Sequence, residues 1–356
     1  MFNFQLSYHY LFFRPPPHRP TPLPEGIERL FADTPLGKIE VLYAAPKGEH
    51  TDKNASPVFF VHGGMGSAWV WLEYMTYLSE RGVPCYAVSM RGHGESWCPS
   101  YLRMVWLTTK RDLADDVVAG IRFAQAREGG SEVVLVGHSS GGGLSQFILS
   151  EGDVTAKGLA LMGAVPGFGS IGVYVNWWKL DPLFTIRLWF HLGHPNSPLS
   201  HPALTRRVFF HGAVSDAYME EFQRHINPYE CFWWPLTMMR PFTSFPRILG
   251  QISGWDERGG ARVMVLRGEY DRLMTLPVME KLAGAFREAY RHLGRVTDKK
   301  IDWRKEDEGS FSRVGGEDTQ ADGVRFCCVP GTGHHMQNDV GWEVGAQKLL
   351  DFYEQL

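Results

Sequence analysis

The chain has 356 residues, 44% of them hydrophobic and 21% charged, with a formal net charge of −3. That length can bury a sizeable core in one large domain or two ordinary ones, and the charge balance excludes both a strongly basic nucleic-acid binder and a like-charged interaction tail. Five cysteines, odd in number and without C-x-x-C spacing, fit a reducing compartment and argue against a disulfide framework or a zinc cluster.

The first twenty residues, MFNFQLSYHYLFFRPPPHRP, are aromatic but do not read as a signal peptide. They lack a basic n-region, their apolar residues are interrupted, and prolines stand where a cleavage site would be expected. No run elsewhere reaches the length needed to cross a bilayer. The expectation is a cytoplasmic protein without membrane contact, in which residues 1–25 form an N-terminal arm.

From residue 27 two strands, IERLF and KIEVLYA, flank the turn Thr34-Pro-Leu-Gly37. The apolar run SPVFFVHGG follows, then an apolar-aromatic helix pattern over 67–80, then VPCYAVSM closed by Arg91-Gly-His-Gly94. Leu113, Val117 and Ile121 recur at helical spacing within 108–127. Next come EVVLVGHSS, a helical stretch near 142–150, and GLALMGAV. Wholly apolar strands alternating with helices imply a mostly parallel sheet covered on both faces, here with an antiparallel opening hairpin: an α/β fold.

Between about 166 and 255 that alternation stops. Trp177, Trp178, Trp189, Phe190, Phe209, Phe210, Phe232, Trp233 and Trp234 crowd a segment with helical pieces and no buried strand, the pattern of an inserted helical cap. Residues 26–165 and 256–356 then form the core. It resumes with the strand RVMVLRG, a helix over 276–292, the strand VRFCCV and a closing helix. The polar, charged stretch 293–323 reads as a surface insertion.

The chemistry centres on Gly137-His138-Ser139-Ser140-Gly141, which follows an apolar strand and precedes a helix. A nucleophile on so sharp a turn needs small neighbours on either side, hence G-x-S-x-G. A serine hydroxyl also needs a base and an acid to orient that base, in the chain order Ser, Asp or Glu, His. Asp271 stands just past the strand VMVLRG, with Glu269 as the fallback. His334 follows the glycines of PGTG, and His335, its neighbour, is expected to pack or bond locally. Asn338 or Asp339 reads as the cap of the last helix.

These residues, with FFVHGGMGSAW at 59–69 and MRGHGES at 90–96, resemble the α/β-hydrolase fold superfamily. The resemblance implies that backbone N–H groups of Gly64, with Met65 beside it, and of Ser140 hold an oxyanion. Fixed donors of this kind are typically worth about 10²–10³ in rate each. Where the family usually has an aspartate before the R-G-x-G turn, this chain has Ser89. His62, His93 and His138 occupy positions where the family tolerates histidine without a metal, and no metal or cofactor is expected. A serine at the elbow argues against the alkyl-enzyme chemistry of relatives that carry aspartate there.

The leading expectation is hydrolysis of an ester, thioester or lactone through Ser139, His334 and Asp271. The same residue types could instead move protons in a cofactor-independent lyase, cyclase or isomerase, or belong to a ligand receptor. The aromatic segment points to a medium-sized apolar or aromatic small molecule, with Met65, Trp177 and Trp178 as candidate contacts. Oligomeric state is left open.

Overall fold

A computed structural model describes residues 5–15, 20–48, 55–256, 261–296 and 318–356. Its strands are β1 (Ile27–Thr34), β2 (Gly37–Ala44), β3 (Val58–Val61), β4 (Cys85–Val88), β5 (Val134–His138), β6 (Gly158–Met162), β7 (Val263–Gly268), β8 (Thr319–Ala321) and β9 (Val324–Val329). They form one sheet in the order β1-β2-β4-β3-β5-β6-β7-β9-β8. Strands β4, β3, β5, β6, β7 and β9 run parallel. The β1–β2 hairpin is antiparallel, as its turn signal predicts, and so is β8 at the far edge. The three residues of β8 are too short to show a period, so the sequence gives no sign of that edge.

Every residue of β3, β4, β5, β6 and β7 is buried, which is why these strands carry Val, Leu, Met, Phe and Ala without alternation. The flanking helices are α1 (Leu72–Ser79), α2 (Lys110–Arg127), α3 (Ser139–Glu151), α10 (Leu276–Val296) and α11 (Trp342–Tyr353). Helix α2 starts at a capping box, where the Thr109 hydroxyl accepts from the Asp112 N–H and the Asp112 carboxylate accepts from the Thr109 N–H. Its Asp116 accepts from Nε and Nη2 of Arg91 at 2.7 and 2.8 Å, tying the Arg-Gly-His-Gly turn to α2.

Among the described residues six α-helices lie between β6 and β7: α4 (Ile171–Leu180), α5 (Phe184–Phe190), α6 (Pro202–Phe209), α7 (Asp216–His225), α8 (Trp233–Thr237) and α9 (Phe245–Leu249). The last of them packs on α3 and α10, against the sheet's own helices. Tyr8 and Phe12 of the amino-terminal segment meet this helical stretch. The Tyr8 hydroxyl donates to the Phe190 carbonyl and His194 Nε2 bonds the Phe12 carbonyl, at 3.2 and 2.9 Å. Helix α10 runs to Val296, beyond the expected end at 292, and residues 297–317 of the expected insertion lie outside the described residues. Among the described residues no helix is long and apolar enough to cross a membrane.

Candidate active site

Strand β5 passes into α3 at His138–Ser139 with no intervening loop. The chain can turn that sharply only by placing Ser139 at φ +52°, a left-handed conformation that is costly for a residue with a Cβ. In the parallel register Val61 of β3 lies opposite Gly137 of β5, so the segment leaving β3 runs alongside the turn. Contact there is close: a Cβ on Gly141 would stand 2.1 Å from the His62 carbonyl oxygen, and one on Gly63 would stand 2.8 Å from the Ser139 Cβ. The two glycines are therefore steric requirements of packing one loop against the other.

The segments after β7 and β9 reach the same point. His334 Nε2 lies 3.0 Å from Ser139 Oγ, and His334 Nδ1 lies 2.8 Å from Asp271 Oδ2. The other carboxylate oxygen of Asp271 accepts the N–H groups of Leu273 and Met274, each at 2.9 Å, which fixes the acid before it meets the imidazole. Glu269, two residues earlier, instead accepts the Gly331 N–H at 2.9 Å and steadies the turn after β9. The structure thus brings Ser139, His334 and Asp271 together and leaves Glu269 outside the constellation.

His335 faces the other way. Its ring packs on Phe209 and Phe222, with centroids 4.5 and 5.0 Å away, and burial followed by the neighbouring His334 lowers its pKa to about 3. His138 is fully buried as well, and its Nε2 reaches the His334 carbonyl at 3.0 Å. The expectation that Asn338 or Asp339 caps the last helix is not met, because that helix begins after Gly341. Asp339 accepts the Gly333 and His211 N–H groups at 2.7 and 2.9 Å, and Asn338 donates to the Val70 carbonyl at 3.0 Å. Both residues hold the His334 loop in place, a role that no local pattern announces.

A profile of the alpha/beta hydrolase family matches residues 58–339. The chain belongs to that family. Its fold is shared with solved structures at low identity. A 2-hydroxy-6-oxo-6-phenylhexa-2,4-dienoate hydrolase from Rhodococcus sp. strain RHA1 is 16% identical, with a TM-score of 0.57 over 92% of this chain and 99% of that one. A thermophilic esterase from Thermogutta terrifontis is 14% identical, with a TM-score of 0.54 over 92% and 98%. A carboxylesterase from Bacillus subtilis is 17% identical, with a TM-score of 0.55 over 92% of each chain.

Within this hydrolase-family chain the loop after β3 carries Gly64 and Met65 to the serine. The Gly64 N–H donates to Ser140 Oγ at 2.7 Å, and the Met65 N–H donates to Glu230 Oε2 at 2.6 Å. The Ser140 N–H belongs to the first turn of α3, whose donors have no partner within the helix. Glu230 was not foreseen: in the sequence it is one acidic residue in an aromatic run, NPYECFWWP, and only the tertiary structure brings it to the β3 loop. The carboxylate missing at Ser89 is also supplied from a distance, since the Ser89 hydroxyl donates to Glu40 Oε2 at 2.6 Å.

Ser139, His334 and Gly64 open into a cavity of about 290 Å³. Its walls are mostly apolar, including Val173, Phe184, Leu188, Phe232, Trp234 and Met274, and among the described residues no lysine or arginine lines it. Met65 and Trp177 line it too, but Trp178 does not. One residue further along α4 is about 100° further round the helix, which turns Trp178 outward and leaves it 53% exposed. Among the described residues no group of three His, Cys, Asp or Glu side chains is arranged to hold a metal ion.

Proposed function

We propose that the chain is a serine hydrolase for uncharged, medium-sized apolar or aromatic esters, thioesters or lactones. The observation that carries this reading is the Ser139 hydroxyl, 3.0 Å from His334 Nε2 and held on a strained turn at the floor of an apolar cavity. His334 takes the Ser139 proton as Oγ bonds the carbonyl carbon, and the carbonyl π electrons move to oxygen. Asp271 keeps Nδ1–H pointing at its carboxylate and stabilises the imidazolium. The N–H groups of Gly64 and Ser140 receive the oxyanion, which requires the Ser140 hydroxyl to turn away from Gly64. Collapse of the oxyanion breaks the bond to the leaving group, which takes the proton from His334. Water then repeats the cycle on the acyl-enzyme.

The cavity supports the substrate class. Its walls are aromatic and aliphatic and offer no lysine or arginine among the described residues for a carboxylate, so butyrate to octanoate and aryl esters should turn over faster than acetates or hemisuccinates. The deciding experiment is intact-protein mass after treatment with a fluorophosphonate. One adduct on the wild type and none on Ser139→Ala supports an activated nucleophile. A folded wild type that takes no adduct would overturn the reading in favour of proton-transfer chemistry or ligand binding.

A further inference from the structure

Met65, one residue past Gly64, sits at φ +65°, a left-handed backbone that an unbranched side chain tolerates only when its surroundings hold it there. One short piece of the helical segment grips its main chain at both ends. The Met65 N–H donates to Glu230 Oε2 at 2.6 Å, and the Met65 carbonyl accepts the Asn227 N–H at 3.0 Å. Glu230 is 4% exposed, and its second oxygen accepts its neighbour's N–H, that of Cys231, at 2.7 Å.

Behind the carboxylate stands His93, fully buried, with Nε2 3.0 Å from Glu230 Oε2. Its other nitrogen, Nδ1, lies 2.9 Å from the Arg91 carbonyl oxygen. A carbonyl oxygen only accepts, so Nδ1 carries hydrogen, and the contact between Nε2 and Oε2 must then hold a proton as well. Histidine and carboxylate therefore form a pair with no net charge. Burial disfavours charge on His93, but the Glu230 carboxylate and its hydrogen bond more than reverse this, so the imidazole is raised above its ordinary pKa. The groups facing His93 fit that arrangement. His62, whose ring centroid lies 4.7 Å away, is driven towards its neutral form by burial and by His93, and Asp116 lies behind with its charge taken up by Arg91.

The pair is placed to matter. A methyl group added to Gly64 would come within 3.8 Å of Glu230 Oε2, so this carboxylate lies close to where an oxyanion held by the Gly64 N–H would develop. An unpaired negative charge there would repel the oxyanion. A carboxylate paired with protonated His93 can hold the loop without opposing the reaction.

We infer that Glu230 is a positioning residue for the oxyanion loop: with its charge balanced by His93, it clamps the Met65 amide and so fixes the Gly64 donor beside Ser139. This rests on the hydrolytic reading above. Three donors converge on the carboxylate, from Met65, Cys231 and His93. Met65 and His93 share Oε2 and Cys231 takes the other oxygen, so a glutamine could keep its oxygen on Met65, whereas alanine at 230 removes both acceptors and leaves the Met65 N–H without its partner.

The test compares wild type with Glu230→Ala and His93→Asn in steady-state kinetics on a neutral aryl butyrate, and in hydrogen exchange of the backbone amides of residues 62–67. The expected result is a fall in kcat of about ten- to a hundredfold, a KM within about threefold of wild type, and exchange at Met65 faster by about tenfold or more. In His93→Asn the carboxylate loses its counter-charge, and kcat should fall while the Met65 amide stays protected. A purely structural role would instead lower thermal stability and kcat together in both variants and leave no difference between them at Met65. Unchanged Met65 exchange in folded Glu230→Ala overturns the clamp, and faster exchange with unchanged kcat overturns its positioning role. A wild type that takes no fluorophosphonate adduct would refute the hydrolytic reading alone, because the exchange comparison decides the clamp without any substrate.

Discussion

The imidazole of His138 reaches across to the main-chain carbonyl of His334 at 3.0 Å. The residue before the candidate nucleophile therefore holds the backbone of the candidate base. Since a carbonyl only accepts, His138 Nε2 carries the hydrogen, and burial followed by the nearby His335 and His334 keeps the ring neutral. Replacing it with alanine removes this restraint on the His334 backbone while leaving the Ser139 and Asp271 side chains in place. Misplacement of a catalytic group by about 1 Å can cost about 10²-fold. His138→Ala should thus lower kcat by about ten- to a hundredfold with KM little changed. Wild-type kcat in a folded His138→Ala protein would show that the contact does not position the base.

Asp271 should be the least replaceable partner of His334. Its Oδ1 is committed to the N–H groups of Leu273 and Met274, and its Oδ2 faces His334 Nδ1 at 2.8 Å. An asparagine keeps its oxygen on the two amides and turns its NH₂ to the histidine, which favours the tautomer with Nδ1 unprotonated and Nε2 unable to accept the serine proton. In a serine protease triad that exchange costs about 10⁴ in kcat. Asp271→Asn should approach that loss on an aryl ester while its thermal midpoint stays near wild type. A loss under tenfold would remove Asp271 from the proposed role.

The parallel sheet and its order of elements were legible because buried strands write continuous apolar runs, VFFV, CYAV, VLVGH, GLALM and VMVLRG, and amphipathic helices repeat near 3.6 residues. The candidate triad was legible because Ser139, Asp271 and His334 each follow such a strand in a fixed order. What stayed hidden is made by contacts between distant parts of the chain. Glu230 meets Met65 across 165 positions, and Asp339 meets His211 across 128. Trp178 looked equivalent to Trp177 because composition does not record which side of α4 faces the cavity. Glu40 stands in for a carboxylate that the local motif lacks at Ser89, and only the register of β2 beside β4 brings the two together.

Two glycine-to-alanine changes should move stability in opposite directions. At Gly141 the added Cβ would lie 2.1 Å from the His62 carbonyl oxygen, a backbone atom that cannot yield without moving the loop after β3. Gly141→Ala should therefore destabilise the fold by about 1–3 kcal/mol and abolish labelling of Ser139. Gly172, in α4, has nothing within 4 Å of the same added atom. Alanine there should stabilise by about 0.5–1 kcal/mol and leave activity unchanged. Urea unfolding of both variants reads the pair, and a stabilised Gly141→Ala would contradict the packing described for the elbow.

Acid should weaken the fold partly through His335. Burial and the adjacent His334 hold its pKa at about 3, whereas in the unfolded chain a histidine titrates near about 6.5. Between those values the unfolded state binds a proton that the folded state refuses, so stability is complete above about pH 6.5 and falls as the pH is lowered towards 3. The slope is about 1.4 kcal/mol per pH unit for one such group. His335→Gln removes the titration but keeps a side chain able to donate to Asn338 Oδ1, which His335 Nδ1 now meets at 3.2 Å. The variant should be less stable than wild type at pH 7.5, where it loses the ring's packing on Phe209 and Phe222. Its unfolding free energy should nevertheless fall less steeply between pH 6.5 and 4.5, by about 2–3 kcal/mol over that interval. Urea midpoints at four pH values measure both slopes, and parallel curves would mean that His335 takes its proton without unfolding the loop it packs beneath.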